Sequence, residues 1–334
     1  MPTLTMYSFL LPQAFVAYAF LIAVTGCHIL AVIIICGMFV ALLFYRNPQS
    51  SIVDSDAVLQ GSENKPCIIA HRGAGHDAPE NTLAAVREAK KNGADAVEFD
   101  VDYTVDGIPV VIHDDTVDRT TDGVGNVNQM TLNTIKSLSA SAKHPNKAQF
   151  PDERVPSLEE MIQLCMELKL KMYIDMKGNA KLSAQALSDL FAKYPALYQN
   201  AIVCSFHPQI VYLVKRKDPR IVTALTHRTH YLTRKVDGTE KEGPFYAKLV
   251  TPLLDCLLKW SIYNWLWFLC GTSAFLAQNG DVSRVMVEHF RKRNIKVVIW
   301  TVNNPVEKKF VSSCLKCSYI TDTLSDNGCS HQVN

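Results

Sequence analysis

From residue 67 onward, short runs of β-branched and aliphatic residues recur at intervals, and this recurrence limits the fold more than any other feature. The runs are CIIAHRG (67–73), AVEFDV (96–101), PVVIHD (109–114), KMYIDMK (171–177), AIVCSF (201–206), RIVTALTH (220–227), KVVIWTV (296–302) and SYITD (318–322). Most are apolar along their length, as strands of a parallel sheet buried on both faces must be. Helical stretches separate most of them. NTLAAVREAKKNG (81–93) ends on Gly93, and SLEEMIQLCMELK (157–169) opens with Ser157 and Glu160 at capping-box spacing. Eight strands with intervening helices predict an α/β chain folded as a (β/α)8 TIM barrel. An open doubly wound sheet is the alternative, disfavoured because no G-x-G-x-x-G follows the first run. Only a few residues separate the second and third runs, too few for a helix, so the second βα unit is irregular.

The first 45 residues contain no Lys, Arg, Asp or Glu. All 34 basic and 32 acidic residues lie from Arg46 onward, where they make up about 23% of positions, an ordinary globular value. The body is therefore neither disordered nor polytopic in a membrane. The net charge of +2 gives no footprint for nucleic acid. Residues 1–45 are too long and lack the basic start of a secretory signal. They predict a transmembrane anchor, either one long tilted helix or a helical hairpin pinched at Gly26-Cys27-His28. The two readings place the body on opposite sides of the membrane, and Arg46 alone gives the positive-inside rule little to act on. Residues 46–66 read as a polar linker, 67–325 as the barrel and 326–334 as a tail.

Residues 228–295 exceed any ordinary loop and read as an insertion. Within it, 249–276 is apolar and carries Trp260, Trp265 and Trp267, three of the four tryptophans. Asp255 and Lys259 near its middle argue against a second span. It reads as an in-plane element lying on the bilayer beside the barrel mouth. The ten cysteines follow no framework spacing, and the lone C-x-x-C at Cys314 and Cys317 is a weak metal or redox signal.

Ionisable residues within the runs gather near their C-terminal ends, the face on which such barrels build active sites. Glu98 and Asp100 share one side of a strand at i, i+2. With Asp175 they form a cysteine-free carboxylate set suited to Mg2+ or Ca2+. A salt-bridge cluster with Arg72 and Lys177 is the competing reading. The two cations suit an anionic substrate such as a phosphate. His71 and His113 end strands beside this set and suit an acid/base pair near neutral pH.

These residues carry a resemblance. H-R-G at 71–73, E-N-T at 80–82, E-F-D-V at 98–101, T-x-D-G at 104–107 and H-D at 113–114 resemble the glycerophosphodiester phosphodiesterase family. R-T-T-D-G at 119–123, P-S-L-E-E at 156–160, W-T-V-N at 300–303 and Y-I-T-D at 319–322 extend the likeness across about 67–323. The resemblance implies hydrolysis of glycerophosphodiesters to glycerol 3-phosphate and an alcohol. It implies His71 and His113 as catalytic residues and a divalent cation, Mg2+ before Ca2+, on Glu98, Asp100 and Asp175. Most of the family carries Glu at that last place. It further implies substrate contacts from Arg72, Lys177, Glu80, Asn81 and Trp300, and a small insertion near 115–155. The membrane-associated members imply a bilayer partner and an extracytoplasmic catalytic domain. The same chemistry serves a lysophospholipase D acting on lysophospholipids or N-acyl-glycerophosphoethanolamine. A membrane-tethered binding protein without activity is the remote alternative, disfavoured because the catalytic set is complete.

Overall fold

The computed structural model describes residues 10–61, 65–235 and 238–325; the expected tail, 326–334, lies outside them. Among these residues nine strands form one sheet: β1 (Ile68–Ala70), β2 (Ala96–Tyr103), β3 (Pro109–Val111), β4 (Lys171–Met176), β5 (Ala201–Ser205), β6 (Val222–His227), β7 (Ala274–Gln278), β8 (Lys296–Trp300) and β9 (Ser318–Thr321). All but β3 pair in parallel, and the β1–β2 pairing closes them into an eight-stranded TIM barrel.

Seven of the eight expected runs become barrel strands, and one does not. The 109–114 run yields β3, which pairs antiparallel with β2 outside the barrel. Its place among the eight is taken by β7, which lies inside the stretch expected to be an insertion. AFLAQ contains no β-branched residue and continues an apolar helical run, so nothing in its composition separates it from that helix. The separation comes from Gly271, which ends the helix at φ 70° in the left-handed region. A Cβ there would stand 2.6 Å from the Pro48 carbonyl oxygen, so glycine also admits the N-terminal segment. Thus 228–295 supplies helix, strand and helix of the barrel wall as well as a long excursion.

The 46–66 stretch is likewise no loose linker. Asn47 N–H donates to the Leu269 carbonyl, the Asn47 amide to the Tyr212 carbonyl and Gln49 to the Thr272 carbonyl, each at 2.9 Å. The buried Lys215 ammonium donates to the Ser50 hydroxyl and the Ile221 carbonyl. Helix Ile52–Leu59, capped by Ser51, buries Val58 and Leu59 against Ile69, Tyr173, Ile202, Val222 and Val298. It plugs the end of the barrel opposite the C-terminal mouth.

The apolar leader is a hairpin. Helices α1 (Leu11–Thr25) and α2 (His28–Tyr45) turn at Gly26, φ 64°. His28 meets the Tyr18 hydroxyl at 3.1 Å beside the turn. α2 is long and apolar enough to cross a membrane; α1 is shorter. The hairpin base meets the barrel through a polar contact between Gln13 and Asn264 and an apolar cleft of about 660 Å3 lined by residues such as Ala14, Leu42, Trp260 and Trp265. Truncating the plug should be costly: Leu59→Ala is expected to destabilise the chain by about 2–5 kcal/mol in denaturant titration in detergent. A loose linker would tolerate the change within about 0.5 kcal/mol.

Candidate active site

Alternation along the strands decides what the barrel interior contains. On β2 the inward positions are Ala96, Glu98 and Asp100, and on β4 they are Tyr173 and Asp175, with Asp100 in register with Asp175. The lower layers are apolar; the uppermost layer is carboxylate. Oxygens of Glu98, Asp100 and Asp175 all lie within 4.8 Å of one another, and all three residues are buried.

The available cations do not divide themselves among these three groups. Lys177 Nζ lies 3.0 Å from Asp100 Oδ1, and Arg72 Nε lies 3.4 Å from Asp100 Oδ2. Asn81 donates to the same carboxylate at 3.0 Å and accepts from the Asp100 N–H. Burial would raise the Asp100 pKa, but Lys177, His113 and Arg72 hold it well below the usual range. Glu98 accepts one N–H, from Arg72, and Asp175 Oδ1 has no hydrogen-bond partner. Burial and the neighbouring Asp100 charge push both Glu98 and Asp175 upward. The site therefore holds more buried negative charge than its own cations neutralise. That deficit, with an unpartnered oxygen facing the cluster, fits a divalent cation.

The two histidines flank this cluster in matching ways. His71 Nε2 lies 3.9 Å from Glu98, and His113 Nε2 lies 4.0 Å from Asp100. Each Nδ1 is held by a carboxylate, Asp322 for His71 and Asp114 for His113, both at 2.5 Å. Asp322 is fixed in turn by Asn303 at 2.7 Å, and Asp114 by Arg119 at 2.7 Å. Burial works against a charged His71, but Asp322 and Glu98 outweigh it and raise its pKa. At His113 burial prevails and the pKa falls. Burial opposes a charged Asp322 as well, yet the His71 hydrogen bond and charge lower it to about 2.

The structure brings together His71, Arg72, Glu80, Asn81, Glu98, Asp100, His113, Asp175 and Lys177. Several are engaged otherwise than by a free mouth. Both polar atoms of the Asn81 amide serve Asp100, so Asn81 orients a carboxylate. Glu80 is clamped between Arg72 at 3.0 Å and Arg119 at 2.7–2.8 Å. Trp300 packs against the apolar interior of the barrel and stands edge-on to Phe206, with ring centroids 5.5 Å apart. The positioning carboxylates Asp114 and Asp322 escaped assignment from sequence. The available signal was their place, directly after a histidine and at the end of the last strand.

Two carboxylate-backed histidines, an arginine and a three-carboxylate set at the C-terminal mouth of such a barrel define a phosphodiester hydrolase. The model of the glycerophosphoryl diester phosphodiesterase family matches residues 71–325, and the chain belongs to this family. It is 45% identical over 263 residues to glycerophosphodiester phosphodiesterase 1 of Mus musculus, covering 79% of this chain and 80% of that one. Among solved structures, a glycerophosphodiester phosphodiesterase from Agrobacterium tumefaciens is similar, with TM-score 0.59 and 21% identity over 78% of this chain and 97% of that chain. So is an Oleispira antarctica phosphodiesterase in complex with the product sn-glycerol-3-phosphate, with TM-score 0.57 and 23% identity over 77% and 93%. The chain is accordingly a glycerophosphodiester phosphodiesterase.

Replacing Asp322 by Asn removes the charge that orients His71. Steady-state kinetics should show kcat lower by about 10²-fold, with the thermal midpoint little changed.

Proposed function

We propose that this enzyme hydrolyses glycerophosphodiesters to glycerol 3-phosphate and an alcohol, using His71 and His113 as the acid/base pair. Glu98, Asp100 and Asp175 would hold a divalent cation, Mg2+ before Ca2+. The observation that carries the reading is the uncompensated carboxylate set between two Nε2 atoms. When bound, the cation would supply positive charge to the phosphoryl oxygens. Arg72 and Lys177 stand at the same site and place further positive charge beside the phosphate.

One histidine takes the proton of the glycerol 2-hydroxyl as its oxygen bonds to phosphorus. The other gives a proton to the departing alcohol oxygen as its bond to phosphorus breaks. The glycerol hydroxyl is part of the substrate, so attack gains from proximity. Water then opens the cyclic phosphate with the two roles reversed and leaves glycerol 3-phosphate. The product named for the Oleispira relative supports this outcome. Asp114 and Asp322 keep each imidazole aimed with Nε2 toward the reacting atoms.

The enzyme works at a membrane surface in this proposal, with the catalytic body extracytoplasmic. The hairpin is the anchor, and both of its ends lie beside the barrel, so the start of α1 and the catalytic body share one side. The helix Phe245–Ser261 supports a second contact. Its buried side carries Asp255 and its exposed side carries Tyr246, Leu249, Leu253, Leu257 and Trp260. This polarity is the reverse of a helix packed on a core in water. The same face favours amphiphilic substrates, including lysophospholipids, as a second class.

His113→Ala should lower turnover by about 10²–10⁴-fold while the fold is retained; near-normal activity would remove His113 from the mechanism. Activity should vanish with EDTA and return with Mg2+, and indifference to EDTA would dismiss the cation. In sealed microsomes, an N-terminal tag and the barrel should show the same protection from protease. Opposite protection would rule out the hairpin anchor.

A further inference from the structure

The loop leaving β6 is anchored at several points. The Thr229 N–H and hydroxyl donate to Asp281 at 2.7 and 2.5 Å, and Lys259 Nζ donates to the Thr229 hydroxyl at 3.0 Å. The N–H groups of Leu232 and Thr233 donate to Asp255 at 2.8 and 3.1 Å, and the Thr233 hydroxyl does so at 2.7 Å. Asp255 is 6% exposed. Its two oxygens meet three donors, an arrangement that a neutral amide cannot reproduce, because its NH2 would face an N–H.

Between these anchors sits Tyr231. Its carbonyl accepts from Lys241 at 2.9 Å. Its ring stacks on Phe206, with centroids 4.9 Å apart and planes within 12°. Phe206 follows β5 and meets Trp300 of β8 edge-on. Burial and then the Asp175 charge raise the Tyr231 pKa to about 12. Tyr231 follows β6 at the C-terminal end of the barrel, the end that carries the carboxylate cluster. By strand order, the ends of β5 and β6, which carry Phe206 and Tyr231, lie across the barrel from β9 and β1. The wall offers ring faces for burial of hydrocarbon. Asp255, which holds the loop from behind, belongs to the helix whose other side exposes Leu249, Leu253 and Leu257.

We propose that Tyr231, with Phe206 and Trp300, forms a specificity wall that selects leaving alcohols carrying an apolar chain, and that Asp255 is the positioning residue that fixes Tyr231 in it. The proposal rests on the phosphodiesterase reading above. One helix then meets an apolar surface with one face and sets the substrate preference of the mouth with the other.

The test uses the full chain in phosphatidylcholine vesicles and two substrates, glycerophosphoinositol and N-acyl-glycerophosphoethanolamine. The readout is the ratio of kcat/KM for the acylated over the polyol substrate. Tyr231→Ala should lower this ratio about tenfold, the scale of one lost apolar contact, through KM rather than kcat. Asp255→Asn should lower it in the same way, and the double variant should fall no further than Tyr231→Ala alone. Tyr231→Phe, which keeps the ring, should restore the ratio. An unchanged ratio in Tyr231→Ala, or effects that multiply in the double variant, would overturn the proposal. Should Asp255→Asn fail to fold, Thr233→Ala removes one of the three donors and must shift the ratio in the same direction; no shift overturns the role of Asp255. Wild-type enzyme inert toward both substrates would instead overturn the phosphodiesterase reading itself.

Discussion

Three buried carboxylates with oxygens within 4.8 Å of one another govern the organisation of the rest of the molecule. Burying one such group is expensive, and burying three is untenable without compensation. Two cations lie close by, yet both pair with Asp100, which Asn81 also grips. Glu98 and Asp175 are left to repel Asp100 and each other. A site that served only stability would distribute its cations more evenly, or would replace the cluster with hydrocarbon. The uneven distribution is intelligible if Glu98 and Asp175 remain available to a charge that is not part of the chain. The histidines obey the same logic, since each turns Nε2 toward the cluster and is held from behind by its own carboxylate.

A strained upper layer needs a firm base, and the barrel provides one at its other end. The inward residues below the carboxylates are apolar and fully buried, and Val58 and Leu59 close the bottom from outside the barrel sequence. The segment that does so connects directly to α2. Hairpin, plug and barrel are therefore one continuous packed unit. Lys215 reinforces the junction from a buried position, although burial lowers its pKa to about 8. Its hydrogen bonds to Ser50 and Ile221 satisfy the ammonium group there.

Much of this was legible in the residues. Strands rich in Val and Ile announced themselves, as did the strand-end positions of His71, Glu98, Asp100 and Asp175. Legibility failed where tertiary context outweighs composition. AFLAQ becomes β7 because the gap between β6 and β8 must be closed, and its own residues would suit a helix. PVVIHD has ideal strand composition, yet only three of its residues pair, antiparallel and outside the barrel. The polar letters of 46–66 suggested a tether, and they conceal the pair Val58 and Leu59. Asp322 and Asp114 lacked any periodic signal, because an orienting role depends on the neighbour reached in space.

The Phe245–Ser261 helix shows what a sequence profile hides in the opposite sense. Asp255 and Lys259 in an apolar stretch argue against a span, but they do not reveal where they point. Both point inward to the 229–233 loop, and Leu249, Leu253, Leu257 and Trp260 point out. In water that arrangement forfeits hydrophobic burial along the helix while ordering a polar network on its inner side. Against an apolar environment the outward face regains its burial, and the inner network needs no rearrangement. The hairpin base shares the cleft that Trp260 lines, so the two apolar surfaces adjoin. An apolar medium that received the hairpin would therefore lie close to the helix, and the network behind it leads through Asp255 to Tyr231 at the C-terminal end of the barrel.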